Sequence, residues 1–125
     1  MAETIFLTKA KRNLQAAQLL FDHQMYDESA NRAYYAAFQA ALAALSNLGM
    51  PVEGMSHEAA QAAFNTELIR KRKVYPGNFR SYLYELQTIR LDADYKLVFV
   101  SKKVASKQIK KAQEFVDRIV LEMNK

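Results

Sequence analysis

The sequence predicts an all-α fold, an up-and-down bundle of four long helices and one short helix in a single domain over residues 1–125. Apolar residues recur at three- and four-residue intervals along most of the chain, as on the buried face of a helix. Only 3 Gly and 2 Pro occur among 125 residues, too few for the turns of a sheet protein. Half of the residues are hydrophobic and 25% are charged, which argues against extended disorder.

The first half of the chain predicts two long helices. One spans Thr4 to about Gln24, and the other runs from Asp27 to about Leu48, with Thr4 and Asp27 as N-caps and Gly49 as the residue that ends the second helix. Residues 33–45 are apolar on nearly every face of the second helix. This helix should therefore be central, either covered on several sides by the chain or buried in a dimer interface.

The second half predicts three more helices. A short one begins at His57 behind the cap Ser56 and ends near Arg70, and the next runs from Asn78 to at least Leu91. The last helix follows the cap Ser101 and ends near Met123. Residues 95–100 are the one strand-like stretch, and we expect an extended connector because an isolated strand cannot form a sheet.

Charge is distributed unevenly between the two halves. Residues 1–62 hold four basic and six acidic side chains, net −2, whereas residues 63–125 hold fourteen basic and seven acidic ones, net +7. The basic excess is concentrated at Arg70, Lys71, Arg72 and Lys73 and along the last helix. Such asymmetry favours an anionic partner, RNA or nucleotide above all, although a solvated surface is the alternative.

Several classes of site are not expected. The absence of cysteine excludes disulfides, zinc–thiolate sites and cysteine nucleophiles. With only two histidines, we expect no metal site, and no glycine-rich phosphate loop or dinucleotide-binding pattern points to a cofactor. No secretion signal is recognisable, and no stretch approaches the ~20 apolar residues of a membrane span. We therefore expect a cytoplasmic protein without membrane contact.

A small polar set stands among the apolar helices and supplies the candidate site residues. Arg32 opens the apolar part of the second helix and could simply pair with Glu28, one turn earlier. Arg90 and Asp94 are four residues apart, which fits either a structural salt bridge or a guanidinium fork that binds phosphate. His57 could contact an anion or transfer a proton, or be an exposed first-turn residue.

Three segments resemble the HEPN family (higher eukaryotes and prokaryotes nucleotide-binding). Tyr26–Phe38, YDESANRAYYAAF, is similar to the central-helix signature of the family. Ser56–Glu58 with Phe64 resembles the histidine-led helix of a bacterial and archaeal subgroup, and Arg90–Tyr95, RLDADY, resembles the Arg-x-x-Ala-Asp-Tyr ending of that subgroup. The resemblance spans nearly the whole chain.

The resemblance implies a two-fold homodimer with a cleft near its interface. Many HEPN proteins are ribonucleases, and some act in toxin–antitoxin pairs beside a minimal nucleotidyltransferase, or in defence systems. Their catalytic motif is Arg, four to six residues, then His. Arg90 matches the arginine, but Tyr95, Lys96 and Leu97 occupy the histidine positions, and no histidine follows.

Three functions therefore remain open. In the preferred one, the chain binds RNA or nucleotide without cleaving it. The binding residues would be Arg32, Arg90, Asp94, Tyr95, Arg70, Lys71, Arg72 and Lys73. In the second, the chain is a metal-independent ribonuclease toxin in which Arg90 and His57 are catalytic. In the third, it is a non-catalytic dimer that holds a protein partner.

Overall fold

The computed structural model describes residues 2–125 and confirms the all-α prediction. The regular elements in these residues are five α-helices and one π-helix, and none is a strand. They are α1 (Ala2–Asp22), α2 (Tyr26–Asn47), α3 (His57–Ala63), the π-helix (Phe64–Lys71), α4 (Asn78–Tyr95) and α5 (Lys102–Met123). Among the described residues, no helix is both long and apolar enough to cross a membrane.

Helix α2 is the centre of the bundle and packs against α1, α4 and α5. Its alanines allow the neighbouring backbones to approach closely; Ala36, Ala37, Ala40 and Ala43 are all completely buried. Of the two alternatives for this helix, coverage by the chain itself is therefore the one observed. These four alanines are not accessible to a second copy of the chain.

Two predicted N-caps are wrong, and two are correct. Thr4 lies inside α1, which begins at Ala2, and Asp27 lies in the first turn of α2, behind the N-cap Met25. The Asp27 carboxylate instead accepts a hydrogen bond from the backbone N–H of Val100 at 2.7 Å. It thereby fixes the end of the α4–α5 connector to the start of α2.

The serine caps and the glycine stop are confirmed. The hydroxyl oxygens of Ser56 and Ser101 each accept a backbone N–H three residues later, at 3.1 Å. Gly49 has a φ of +96°, and its N–H donates to the carbonyl of Ser46 while Met50 N–H donates to that of Leu45. This is the Schellman ending, which requires the left-handed conformation that glycine adopts without strain.

The predicted third helix changes its hydrogen-bonding pattern halfway. It is α-helical from His57 to Ala63 and π-helical from Phe64 to Lys71. Helix α4 then runs back along it, as an up-and-down connection requires. His57 and the C-terminal end of α4 therefore lie at one end of this helical hairpin, and Arg70–Lys73 lie at the other.

The connector between α4 and α5 is irregular and strongly exposed. No strand forms in residues 95–100, because no neighbouring strand is present to accept their backbone hydrogen bonds. Helix α4 takes in Tyr95, and the following apolar side chains point to solvent. Leu97 and Phe99 are 103% and 92% exposed, an unusual state for large apolar residues of a folded domain.

Candidate functional site

Arg90 lies near the C-terminal end of α4, against two tyrosines of α2. Its guanidinium carbon is 5.4 Å from the centre of the Tyr34 ring and 5.5 Å from that of the Tyr35 ring. Both distances are within the range of cation–π attraction. The Arg90 side chain is only 11% exposed, so the guanidinium contacts the two tyrosine rings more than it contacts solvent.

Arg90 has one carboxylate partner and an unsatisfied nitrogen. Its Nη1 donates to Oδ2 of Asp94 at 3.2 Å, so the salt bridge suggested by the four-residue spacing forms. The Asp94 carboxylate is shared with the side-chain amide of Asn31, whose Nδ2 lies 3.2 Å from both of its oxygens. The Nε of Arg90 is buried without a hydrogen-bond partner. A buried guanidinium N–H without an acceptor is costly.

Arg32 carries a charge that no carboxylate balances within residues 2–125. The expected pair with Glu28 does not form. Instead, the Arg32 guanidinium donates to the amide oxygens of Asn31 and Asn13, at 2.9 Å and 3.2 Å. It also lies 4.7 Å from the centre of the Tyr35 ring. Since both amides are neutral, Arg32 keeps its full positive charge beside Arg90.

His57 joins the same cluster through Tyr34. The Tyr34 hydroxyl is 2.7 Å from Nδ1 of His57, and the imidazole ring lies 4.4 Å from that of Phe38. Partial burial, and then the nearby Arg90 charge, lower the pKa of His57, while Glu58 opposes the shift. Burial raises the pKa of Tyr34 to about 12. Both groups are therefore neutral at pH 7.

The hydrogen bond between Tyr34 and His57 links the tautomer of the imidazole to the direction of the bond. Gln61 Nε2 donates to the Tyr34 hydroxyl at 3.5 Å, and that hydroxyl still has its own proton to donate to Nδ1 of His57. When the hydroxyl donates, the ring proton of the neutral imidazole lies on Nε2, which is then a hydrogen-bond donor to an anion. When Nδ1–H donates to the hydroxyl instead, Nε2 is unprotonated and can act as a base.

The remaining predicted site residues lie apart from this cluster. Tyr95 is 76% exposed at the last residue of α4. Arg70, Lys71, Arg72 and Lys73 are exposed at the far end of the hairpin, where Lys71 pairs with Glu67 at 3.1 Å. The structure thus brings together Arg32, His57, Arg90 and Asp94, and separates them from the basic connection.

Sequence reasoning missed the residues that hold the cluster together. Asn31 links Arg32 to Asp94, and the Tyr34 and Tyr35 rings lie between the charged groups. The available signal was the polar pair Asn31–Arg32 directly before two tyrosines, which is unusual in an alanine-rich buried segment.

The described residues offer no ready metal site. Among residues 2–125, no group of three or more His, Asp or Glu side chains is placed to hold a metal ion.

Comparison with known proteins gives the family. Residues 4–123 match the HEPN domain. The chain is 30% identical over 89 residues to "UPF0332 protein glr0978" of Gloeobacter violaceus, covering 71% of this chain and 68% of that protein. It is also 32% identical over 113 residues to "Putative toxin MJ0605" of Methanocaldococcus jannaschii, covering 88% of this chain and 80% of that protein. With a match that covers nearly its whole length, the chain belongs to the HEPN domain family.

Proposed function

We propose that this HEPN protein binds RNA or a nucleotide through the Arg32–Arg90 cluster, defined as Arg32, Tyr35, His57, Arg90 and Asp94. The observation that carries the proposal is the charge balance, since the carboxylate beside these two guanidinium groups contacts only Arg90. Arg32 has no acidic partner among residues 2–125, and Arg90 has only Asp94. A guanidinium fork beside an aromatic ring suits a phosphate and the base attached to it.

Binding is favoured over cleavage by the state of His57. A general base must be unprotonated at the nitrogen that faces the substrate. In our proposal the Tyr34 hydroxyl donates to Nδ1 of His57, which leaves the ring proton on Nε2. The same nitrogen is a suitable donor to a phosphate oxygen. The second candidate function is a metal-independent ribonuclease, and its support is that Arg90 and His57 both contact Tyr34.

We further propose that the protein works in a toxin–antitoxin or defence pair with a nucleotidyltransferase-like partner. The support is its similarity over 88% of its length to a protein named as a toxin. In this setting, Arg70–Lys73 would make a second phosphate contact at the far end of the α3–α4 hairpin. Their exposure leaves these side chains accessible to an RNA chain.

The binding proposal is tested with Arg32→Gln. RNA affinity should fall about fivefold at 0.1 M salt, and the salt dependence of log K should lose ~0.7 units of slope, the contribution of one phosphate contact on a single strand. The matched control is Lys9→Gln, which removes one exposed positive charge from α1. If Arg32→Gln and Lys9→Gln lose equal RNA affinity, the loss reflects net charge alone and the cluster is not a specific binding site. If neither the wild type nor the variants bind RNA, the cluster is not an RNA-binding site.

Cleavage is tested separately with Tyr34→Phe. This variant keeps a ring under Arg90 but removes the hydroxyl that holds His57. The wild type, Tyr34→Phe and His57→Ala are incubated with transfer RNA in the presence of EDTA. We expect no cleavage and unchanged binding by Tyr34→Phe. Cleavage by the wild type that both substitutions abolish would favour the ribonuclease instead.

We also propose a homodimer formed through the exposed connector, defined as Tyr95–Phe99, rather than through α2. Its four apolar side chains are at least 67% exposed, and its one charge, Lys96, is paired with Asp92 at 3.1 Å. A second copy could cover this surface without opposing charges. The double variant Leu97→Glu/Phe99→Glu should be monomeric by light scattering, whereas Leu19→Glu, which changes an exposed leucine of α1, should not. If the double variant keeps the dimer mass of the wild type, the connector is not the dimer interface.

A further inference from the structure

A concave surface lies between the π-helix and α4. This groove, which we call the α4 groove, has a volume of about 740 Å³, within the range of small-molecule sites. The buried residues Phe64 and Leu83 line it. Tyr84 also lines it and is 68% exposed. An exposed tyrosine beside a groove is a surface on which a planar ring can stack.

Unused hydrogen-bonding groups also line the α4 groove. They belong to Asn65, Thr66, Arg80 and Ser81. Within residues 2–125, none of these four side chains has a protein partner. The contrast with other helical threonines is informative, since the hydroxyls of Thr8 and Thr88 donate to the carbonyl four residues earlier. Those of Thr66 and Ser81 do not, and are free to bind a ligand.

The free charge in the α4 groove is positive. Arg80 is exposed and has no carboxylate partner among the described residues. The acidic residue of the groove, Glu85, is neutralised by an ion pair with Lys111 of α5. One uncompensated guanidinium therefore remains for an anion, and its planar fork matches phosphate.

The π-helix accounts for the position of two of these groups. Asn65 and Thr66 lie in its first turn. Hydrogen bonds in a π-helix run between residues five apart rather than four, so its side chains are displaced from the positions that a continuous α-helix would give them. Long π-helical stretches are rare, and π-helical turns are frequent at functional sites. The π-helix therefore begins at the part of the groove where the unpartnered side chains of Asn65 and Thr66 lie.

We infer that the α4 groove binds one nucleotide, with its base stacked on Tyr84 and its phosphate held by Arg80. Asn65 and Thr66 would supply hydrogen bonds to the base edge. The nucleotide could be free or part of an RNA chain. This site is separate from the Arg32–Arg90 cluster and does not depend on it. Gln61 lies between the two, since it lines the groove and donates to the hydroxyl of Tyr34, which contacts His57 and Arg90.

The experiment is isothermal titration calorimetry of the full chain with adenosine 5′-monophosphate and, separately, with a short single-stranded RNA. Arg80→Gln should weaken binding about tenfold or more, since a charged hydrogen bond is lost. Tyr84→Ala should weaken it about fivefold or more through lost stacking. Both residues are exposed, so the folded state should persist, as circular dichroism will verify. Lys107→Gln, which removes an exposed charge of α5, is the control.

The variants separate this site from the proposed function. The inference requires that Arg80→Gln and Tyr84→Ala weaken the mononucleotide while Lys107→Gln leaves its affinity unchanged. If Arg32→Gln weakens the mononucleotide and the two groove variants do not, the nucleotide belongs to the Arg32–Arg90 cluster and the inference is overturned. If only the RNA binds, and both groove variants weaken it, the nucleotide belongs to an RNA chain. The inference is overturned if neither probe binds, if the groove variants bind like the wild type, or if Lys107→Gln weakens binding equally.

Discussion

Asp94→Asn should destabilise the fold and, at the same time, strengthen RNA binding. Asp94 is the one carboxylate that contacts Arg90 among residues 2–125, and it also accepts from Asn31. Asparagine has nearly the same shape but carries no charge. The substitution therefore removes the internal counterion of Arg90 and leaves the guanidinium in place for a phosphate.

The loss of stability can be bounded from the geometry. Arg90 and Asp94 are joined by one hydrogen bond of 3.2 Å, with side chains 11% and 29% exposed. Hydrogen bonds to charged groups contribute about 1.5–3 kcal/mol when buried, and partial exposure of Asp94 reduces this. We expect Asp94→Asn to lower the free energy of unfolding by about 1–2 kcal/mol.

The matched control is Asp92→Asn on the same helix. Asp92 also pairs with a basic residue four positions away, Lys96, at 3.1 Å, but here the side chains are 33% and 63% exposed. A pair in this much water contributes roughly 0.5 kcal/mol or less. The two variants change the net charge equally. They differ in the burial of the cation that loses its carboxylate partner, which is Arg90 in one variant and Lys96 in the other.

The gain in RNA affinity follows from one additional phosphate contact. On a single strand, such a contact adds ~0.7 to the slope of log K against log salt, or about fivefold in affinity at 0.1 M salt. Stability is measured by urea unfolding followed by circular dichroism, and affinity by fluorescence anisotropy over a range of salt concentrations. If Asp94→Asn binds RNA no more tightly than Asp92→Asn, Arg90 is not a phosphate ligand. Equal stability losses would show that burial of the pair has no effect.

Three further predictions concern stability. Because the pKa of His57 is lowered from its ordinary 6.5, the unfolded state takes up the imidazole proton before the folded state does on acidification. The free energy of unfolding should therefore fall as the pH drops below 6.5, and it should fall less in His57→Gln. Urea midpoints at neutral and acidic pH measure this difference. Ser29→Ala removes a buried hydrogen bond of 2.8 Å to the carbonyl of Ala17 and should cost about 1 kcal/mol in urea unfolding, unlike Ser106→Ala. Ser101→Ala removes the N-cap of α5 and should cost about 1 kcal/mol by the same assay.

The fold was predictable because its signals are local. Apolar periodicity located every helix, and the serine caps and Gly49 marked their ends. The errors came from features with weak local signals. Asp27 has the residue type of an N-cap, but its carboxylate accepts from Val100, 73 positions away. The π-helix has no comparable signature in the sequence, since Phe64 and Leu68 fit the spacing of an ordinary α-helix.

The candidate site was predictable only in part, for the same reason. Arg90 and Asp94 are four residues apart on one helix, so their contact could be anticipated. The Glu28–Arg32 pair had the same spacing but does not form, because Asn13 and Asn31 satisfy the guanidinium instead. Contacts between distant segments, such as those of Tyr34 with His57 and Arg90, depend on helix packing that spacing does not encode.

The burial of α2 links the core to the proposed site. The faces of this helix around Ala36 and Ala40 are completely buried against neighbouring helices, so the helix cannot rotate or shift without opening the core. Tyr34 and Tyr35 precede these alanines on the same rigid rod, and their rings contact Arg90. The packing that stabilises the bundle therefore also holds the aromatic surface against which the guanidinium rests. A site organised in this way pays little conformational entropy when it binds a phosphate, because its aromatic groups are already ordered.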